Sequence, residues 1–287
     1  MLLQWRKPTQ LRNHILAGLP PDDLAYIRPL LEPVVLKERS VLQEPVRRTE
    51  YVDFVETGII SLMTLARGSV LETAMVGSQG FTPVSVALGA PASEHRSVVL
   101  VSGTASRIAA DALRRTMCER PQIREQLLRY VQSVMTHGSQ IGLCGVWHRL
   151  EQRLACWLCL ACDAIESNVL PVTHDNISTV LGLRRAGITE ALNRFEEEGL
   201  VSKMRGLLEI RDTAKVEAKG LLLLWDDSGG IWSSKNPIAS SCAHRDAVNL
   251  VIQTVNAAER QERTCAWLSL AHPLATCASD RPETATR

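Results

Sequence analysis

Apolar positions recur at helical spacing from Asn13 to Leu31. Pro20, Pro21, Asp22 and Asp23 interrupt the run with a helix-start signal, proline for the first turn and acids facing the helix dipole. The segment therefore predicts a pair of short helices. From Val34 to about Ile108 the period shortens to β-rich runs such as VVL, VDFV, GIISLMTL, SVLETAMV and RSVVLVSGTASRI. Turn residues at Pro45, Gly58, Gly68, Gly77 and Gly89 separate them, the spacing of a β-sandwich or jelly roll.

Helical character resumes at Ala109 to Arg115 and, after Pro121, continues through IREQLLRYVQSVMTHGSQIGLCGVWHRLEQRLACWLCLACDAIE. Ile123, Leu127, Leu128, Val131, Val134 and Met135 form one stripe, to be buried against the chain's own domain or against a second copy. Gly138, Gly142 and Gly145 each cost about 1 kcal/mol relative to alanine in a helix, and a break or hinge is expected there. In LPVTHDNISTVLGLRRAGITEALNRFEEEGLVSKMRGLLEI, Thr173 is placed to cap a helix that buries Ile177, Val180 and Leu181, with Gly182 for the sharp turn. A second helix begins near Arg184, buries Ile188, Ala191, Leu192 and Phe195, and stops at Gly199. Alternation from Leu200 to Ile210 around Gly206 then reads as a hairpin wing, so the segment predicts a winged helix-turn-helix.

Composition narrows the partners. The formal net charge is +1 over 287 residues, so any basic surface is local. MLLQWRKPTQ carries no apolar run behind Arg6 and Lys7, and the longest apolar stretches are too short to span a bilayer. The expected location is the cytoplasm, with no membrane partner, and there the eight cysteines are read as free thiols. No Gly-rich phosphate loop, paired catalytic acids or H-E-x-x-H appears, and nothing in the sequence assembles an enzyme site.

With these residues in hand, the chain resembles the Crp/Fnr superfamily of bacterial transcription regulators over roughly residues 10–219. HRLEQRLACWLCLACDAI and LPVTHDNISTVLGLRRAGITEALNRFEEEGLVSKMRG are similar to the family's winged-helix domain. LAGLPPDDLAYIRPLLEPVVL, VDFVETGIISLM and MVGSQGF are similar to its cyclic-nucleotide-binding-type β-roll. The resemblance implies an α+β protein with a β-roll sensor at 10–115, a dimerisation helix at 116–147 and a winged helix-turn-helix at 148–219. It also implies a homodimer on double-stranded DNA at a roughly palindromic operator, with RNA polymerase as a further partner.

Arg184 and Arg185 open the recognition helix, where guanidinium groups fork onto guanine O6 and N7. In the resemblance Arg185 matches the guanine-reading arginine, whereas Ala186 and Glu190 stand where the best-known members carry a glutamate and an arginine, so no operator sequence carries over. Thr189, Asn193, Arg194, Thr173, Lys203 and Arg205 complete the candidate DNA contacts. Residues 173–211 hold six Lys/Arg and six Asp/Glu, which predicts a narrow footprint with the run Glu196 to Glu198 turned away from DNA.

Arg96 and Ser97 match the family's cyclic-phosphate pair and are the candidate effector-phosphate site. The glutamate partner is missing from GSQGFTPVSVALGAPA, which argues against a classical cyclic nucleotide. Cys156, Cys159 and Cys162 have the C-x-x-C-x-x-C spacing of iron–sulfur ligation. They lie in an apolar helical run, and the family's iron–sulfur members carry their cysteines near the N-terminus, so no cofactor or metal is assigned. The alternatives are a redox or metal sensor on these thiols and an interaction module that keeps the fold without reading DNA. Beyond Gly220 the family pattern stops. Residues 220–287 read either as a frame-shifted, poorly ordered end or as a partner-binding extension using Trp225, Trp232 and Trp267.

Overall fold

The computed structural model describes residues 11–66 and 69–220, and the expectations for the tail beyond Gly220 and for a turn at Gly68 lie outside them. Asn13 starts the fold because its short amide serves three backbones at once. Its Oδ1 accepts from Leu16 N at 3.1 Å, capping α1 (His14–Ala17), while Nδ2 donates to the carbonyls of Val55 and Gly80 at 2.9 and 2.8 Å. Helix α2 (Pro21–Ile27) begins at the predicted proline with Asp22 and Asp23 in its first turn.

The strands β1 (Glu32–Leu36), β2 (Val41–Gln43), β3 (Tyr51–Ala66), β4 (Ser69–Val76), β5 (Phe81–Thr82) and β6 (Arg96–Ala109) form one antiparallel sheet. Its order is β1-β6-β3-β4, with β2 also on β6 and β5 on β3. The structure corrects one expectation here: Gly58 is not a turn but lies within the continuous strand β3. Its φ is +89°, and the β3–β6 register slips on either side of it. The slip reverses the parity of the strand. Before it Val55 faces the core that contains Leu36 and Val99, and after it Ile60 and Leu62 do. A side chain at Gly58 would stand 2.6 Å from the Val101 carbonyl, so only glycine allows the bulge.

Helices α3 (Ala110–Glu119), α4 (Pro121–Trp147) and α5 (Leu150–Ile165) follow. The expected break at Gly138, Gly142 or Gly145 does not occur, and α4 runs through all three. The interruption falls instead at His148 and Arg149, both extended, where the Gln152 side chain accepts from Arg149 N at 3.0 Å and starts a new helix. A local cap outweighed propensity, which is the weaker influence. Next come β7 (Val169–Leu170), α6 (His174–Leu181), α7 (Arg185–Glu197), β8 (Val201–Met204), β9 (Leu207–Ile210) and α8 (Thr213–Gly220), with the three strands ordered β7-β9-β8.

One hydrophobic core crosses from the roll into this last module. It gathers Ile59, Met63, Leu100 and Val101 from the sheet with Leu154, Trp157, Leu158 and Cys159 of α5, Ile188 and Phe195 of α7, and Leu208 of β9. Backbone contact is close: a Cβ on Gly77 would lie 2.1 Å from the Ala164 carbonyl oxygen. At this contact Glu72 of β4 is wholly buried, accepting from Trp157 Nε1 at 2.8 Å and from the Ser61 hydroxyl.

Burial pushes the Glu72 carboxyl up to about 7, overriding the two hydrogen bonds that favour its charged form. The folded protein thus holds a proton that the unfolded chain, at its ordinary 4.5, releases. The associated stability is complete below pH 4.5 and is lost as pH rises through about 7, a loss on the order of 3 kcal/mol. In Glu72→Gln the amide oxygen still accepts from Trp157 and the amide nitrogen donates to Ser61. Urea unfolding of this variant should show a flatter stability profile between pH 5 and 8 and greater stability than the parent at pH 8. An unchanged pH slope would refute the assignment.

Candidate nucleic-acid interface

The two helices of the turn are positioned by local chemistry. Thr173 Oγ1 accepts from Asn176 N at 3.2 Å and Asn176 Oδ1 accepts from Thr173 N at 3.3 Å, a reciprocal cap on α6. Gly182 closes α6 at φ +61°, and Arg153 reaches from α5 to donate to the Leu181 carbonyl at 2.7 Å. Ile188, Ala191, Leu192 and Phe195 bury one face of α7 and leave its first turn outward. This is the face the sequence predicts, and the cap, the turn and the Gly206 hairpin stand where the pattern puts them.

Arg184 is the N-cap of α7 and Arg185 its first residue. Both are exposed. Among the described residues Arg184 and Arg205, the latter at the hairpin tip, make no ion pair. Arg185 Nε lies 3.1 Å from Asp175 Oδ1, with both side chains about two-thirds exposed (67% and 63%). Such an exposed pair is worth at most about 1 kcal/mol, less than the roughly 1–3 kcal/mol by which a bidentate guanine contact discriminates. One turn on, Thr189 Oγ1 meets His174 Nδ1 at 3.0 Å. Desolvation first, then Lys203 and Arg185, hold the His174 imidazole below its ordinary range. The ring therefore stays neutral near pH 7 and adds no charge.

The remaining candidates divide. Asn193 accepts from Lys203 Nζ, and that ammonium also pairs with Glu196 at 2.8 Å, linking the wing to α7. Arg194 turns back to Glu151 of α5 at 2.7 Å, and Thr173 is engaged as a cap. Glu196 lies eleven residues beyond Arg185, on the same stripe but about 16 Å along the helix, and Lys203 holds its carboxyl below the ordinary value. Glu198 is drawn to Lys219 of α8 at 2.9 Å.

In the roll, Arg96 and Ser97 part company. Arg96 binds Glu44 at 3.0 Å, while Ser97 Oγ meets Thr82 Oγ1 at 3.2 Å beside a polar cleft of about 290 Å³. That cleft also holds Arg47, Tyr51 and the Asp53–Arg107 pair, whose two hydrogen bonds of 2.7 and 3.0 Å satisfy the guanidinium. Cys159 and Cys162 are buried, and no group of three or more metal-ligating side chains gathers among the described residues. Sequence reading missed a different thiol contact, Cys144 Sγ at 3.0 Å from His148 Nδ1. Its signal was the i,i+4 spacing on a helix. No helix among the described residues is long and apolar enough to cross a membrane.

The family described as Crp-like helix-turn-helix domain matches residues 152–219. No curated protein matches the sequence of this chain. Among solved structures, FixK2 of Bradyrhizobium japonicum is similar at 15% identity and TM-score 0.55, over 66% of this chain and 96% of its own. A CRP-family transcriptional regulator of Thermus thermophilus is similar at 14% identity and TM-score 0.55, over 65% and 96% of the two chains. The global regulator CLP of Xanthomonas campestris, described as c-di-GMP responsive, is similar at 12% identity and TM-score 0.56, over 68% and 100%. At these identities the likeness is one of fold, and the domain match supplies the DNA-binding function. Residues 152–219 thus carry a Crp-like helix-turn-helix domain, on a chain whose fold is similar to that of Crp/Fnr-family transcription regulators.

Proposed function

We propose that the protein acts in the cytoplasm as a homodimer that reads a roughly two-fold DNA operator, Arg184 and Arg185 contacting base edges and Thr189, Arg205 and Lys203 the adjoining bases or phosphates. The observation that carries this reading is the exposed first turn of α7, with two guanidinium groups at the position from which recognition helices reach the major groove. Asn193 acts through Lys203, whose amine it shares with Glu196. Thr173 and Arg194 keep the module in shape, as cap and as tie to α5. RNA polymerase is the partner through which such a dimer acts on transcription.

Dimerisation is supported by α4. Its first half buries Ile123, Leu127 and Val131 against the roll, but Met135, Leu143, Val146 and Trp147 in its second half are 68%, 47%, 81% and 58% exposed. These apolar groups share one side of the helix, and Gly142 and Gly145 have open space around them that admits a second backbone. A second copy of α4 covers such a face. A signal at the roll would then shift the relative placement of the two recognition helices. The sensor's effector is not a classical cyclic nucleotide in this reading, because Arg96 faces Glu44 in place of an open anion site.

Genomic fragments retained by the purified protein should share a motif with half-sites about one helical turn apart. On such a fragment Arg185→Ala should weaken binding by about 1–3 kcal/mol and relax the preference at one base pair per half-site. Uniform weakening across all sequences would mean that Arg185 holds phosphate only. Val146→Glu should convert the dimer to monomer in sedimentation equilibrium and abolish two-half-site binding; a persistent dimer would place the interface elsewhere.

A further inference from the structure

Between Pro121 and Ile165 the chain is helical except at His148 and Arg149, where ψ values of 141° and 167° make a two-residue extended joint. Cys144 stands on the last turn of α4 and Cys156 on the second turn of α5, one on each side of this joint. The two thiols are near enough to perturb each other's titration. His148 Nδ1 lies 3.0 Å from Cys144 Sγ, and both cysteines are partly exposed, in contrast to buried Cys159 and Cys162.

We propose that Cys144 and Cys156 form a reversible oxidation site, in which a hydroperoxide oxidises Cys144 and Cys156 closes a disulfide across the α4–α5 joint. The division of labour follows from the surroundings. The Cys156 thiol, then the hydrogen bond to His148 and the nearby charges of His148 and Arg153, hold the Cys144 thiol well below its ordinary range despite partial burial. Beside that anion, and with Cys159 near, the Cys156 thiol is pushed up and keeps its proton. Cys144 is therefore the attacking thiolate and Cys156 the resolving thiol.

In the first step the Cys144 sulfur attacks one peroxide oxygen and the O–O bond breaks. The departing alkoxide or hydroxide takes up a proton, and Cys144 becomes a sulfenic acid. In the second, Cys156 loses its proton as its sulfur attacks that of Cys144. The S–O bond breaks, and hydroxide leaves with the proton as water. Two thiols and one hydroperoxide thus yield one disulfide, one alcohol (water, when the oxidant is hydrogen peroxide) and one water. The bridge fastens the two helices beside the only non-helical link between them and fixes the angle at which α5 leaves α4. Since α5 carries the helix-turn-helix, oxidation alters DNA affinity, a consequence that rests on the function proposed above.

The test is peptide mapping of the full chain after hydrogen peroxide treatment and alkylation, without reduction. The Cys144–Cys156 cross-linked peptide should be the main oxidised species and should disappear on adding dithiothreitol. Cys156→Ser should stop at a sulfenic acid on Cys144, captured by dimedone. Cys144→Ser should leave Cys156 reduced, and His148→Gln should slow Cys144 oxidation about tenfold. Circular dichroism of each variant checks that it folds, and the map of the unsubstituted chain scores the cross-link by itself. Oxidation centred on another cysteine pair, a cross-link between two copies, or oxidation of Cys144→Ser at the parent rate overturns the site. On a DNA fragment bound by the reduced protein, oxidation should change affinity at least fivefold, reversibly; equal affinity of the two forms overturns the regulatory consequence. If the reduced protein binds no DNA, the proposed function fails, while the cross-link map still decides the site.

Discussion

The roll leaves a face of β3, β4 and β6 that its own N-terminal helices do not cover, and the winged module supplies the missing layer. Ile59, Met63, Leu100 and Val101 on the sheet side meet Leu154, Trp157 and Leu158 on α5 in one shared core. Steric fit adds direction to this non-directional attraction. Gly77 lets β4 approach the Ala164 carbonyl, and Glu72 engages Trp157 through a hydrogen bond of 2.8 Å. The orientation of α6 and α7 is inherited from this contact, because α5 packs against both and Arg153 ties the end of α6 to α5. Recognition geometry is thus a property of the whole described chain, not of the helix-turn-helix alone.

Charge in that module is distributed economically. Its balance of six basic and six acidic residues between 173 and 211 gives no overall attraction for a polyanion, so affinity depends on which cations are released from internal pairs. Arg194 and Lys219 are committed to Glu151 and Glu198 on the side of α5 and α8. Lys203 is shared with Asn193 and Glu196, while Arg184 and Arg205 stand exposed. In the proposed function, a footprint of few phosphates would leave base contacts a large share of the binding energy, a regime in which salt weakens binding only modestly.

The helix-turn-helix was legible in detail because its signals are local: a threonine cap, a glycine at positive φ and a hairpin glycine each act within four residues. Gly58 was misread as a turn because glycine marks turns and bulges alike, and the strand pairing that distinguishes them comes from residues 99–109, distant in sequence. The glycines of α4 misled for the opposite reason, since a propensity cost of about 1 kcal/mol each is offset once Ile123, Leu127 and Val131 are packed. Arg96 and Ser97 are neighbours in sequence but diverge in space, because successive side chains of a strand point to opposite faces. Arg96 turns to the Glu44 carboxylate and Ser97 to the Thr82 hydroxyl.

The joint at His148 and Arg149 gains its meaning from these same contacts. The first half of α4 is anchored to the roll, and α5 is anchored to the roll independently through Trp157 and Ala164. Two rigid helices held at separate points and linked by two extended residues share a single degree of adjustment, the angle between them. The two extended residues interrupt the helical hydrogen-bond ladder, so a shift in the anchor of α5 is readily taken up there. The exposed apolar half of α4 lies on one side of the joint and the recognition helix follows on the other. Any group that stiffens or relaxes the joint therefore acts on the relation between the exposed apolar half of α4 and the helix-turn-helix, and the neighbouring Cys144 thiol and His148 ring are the groups placed to do so.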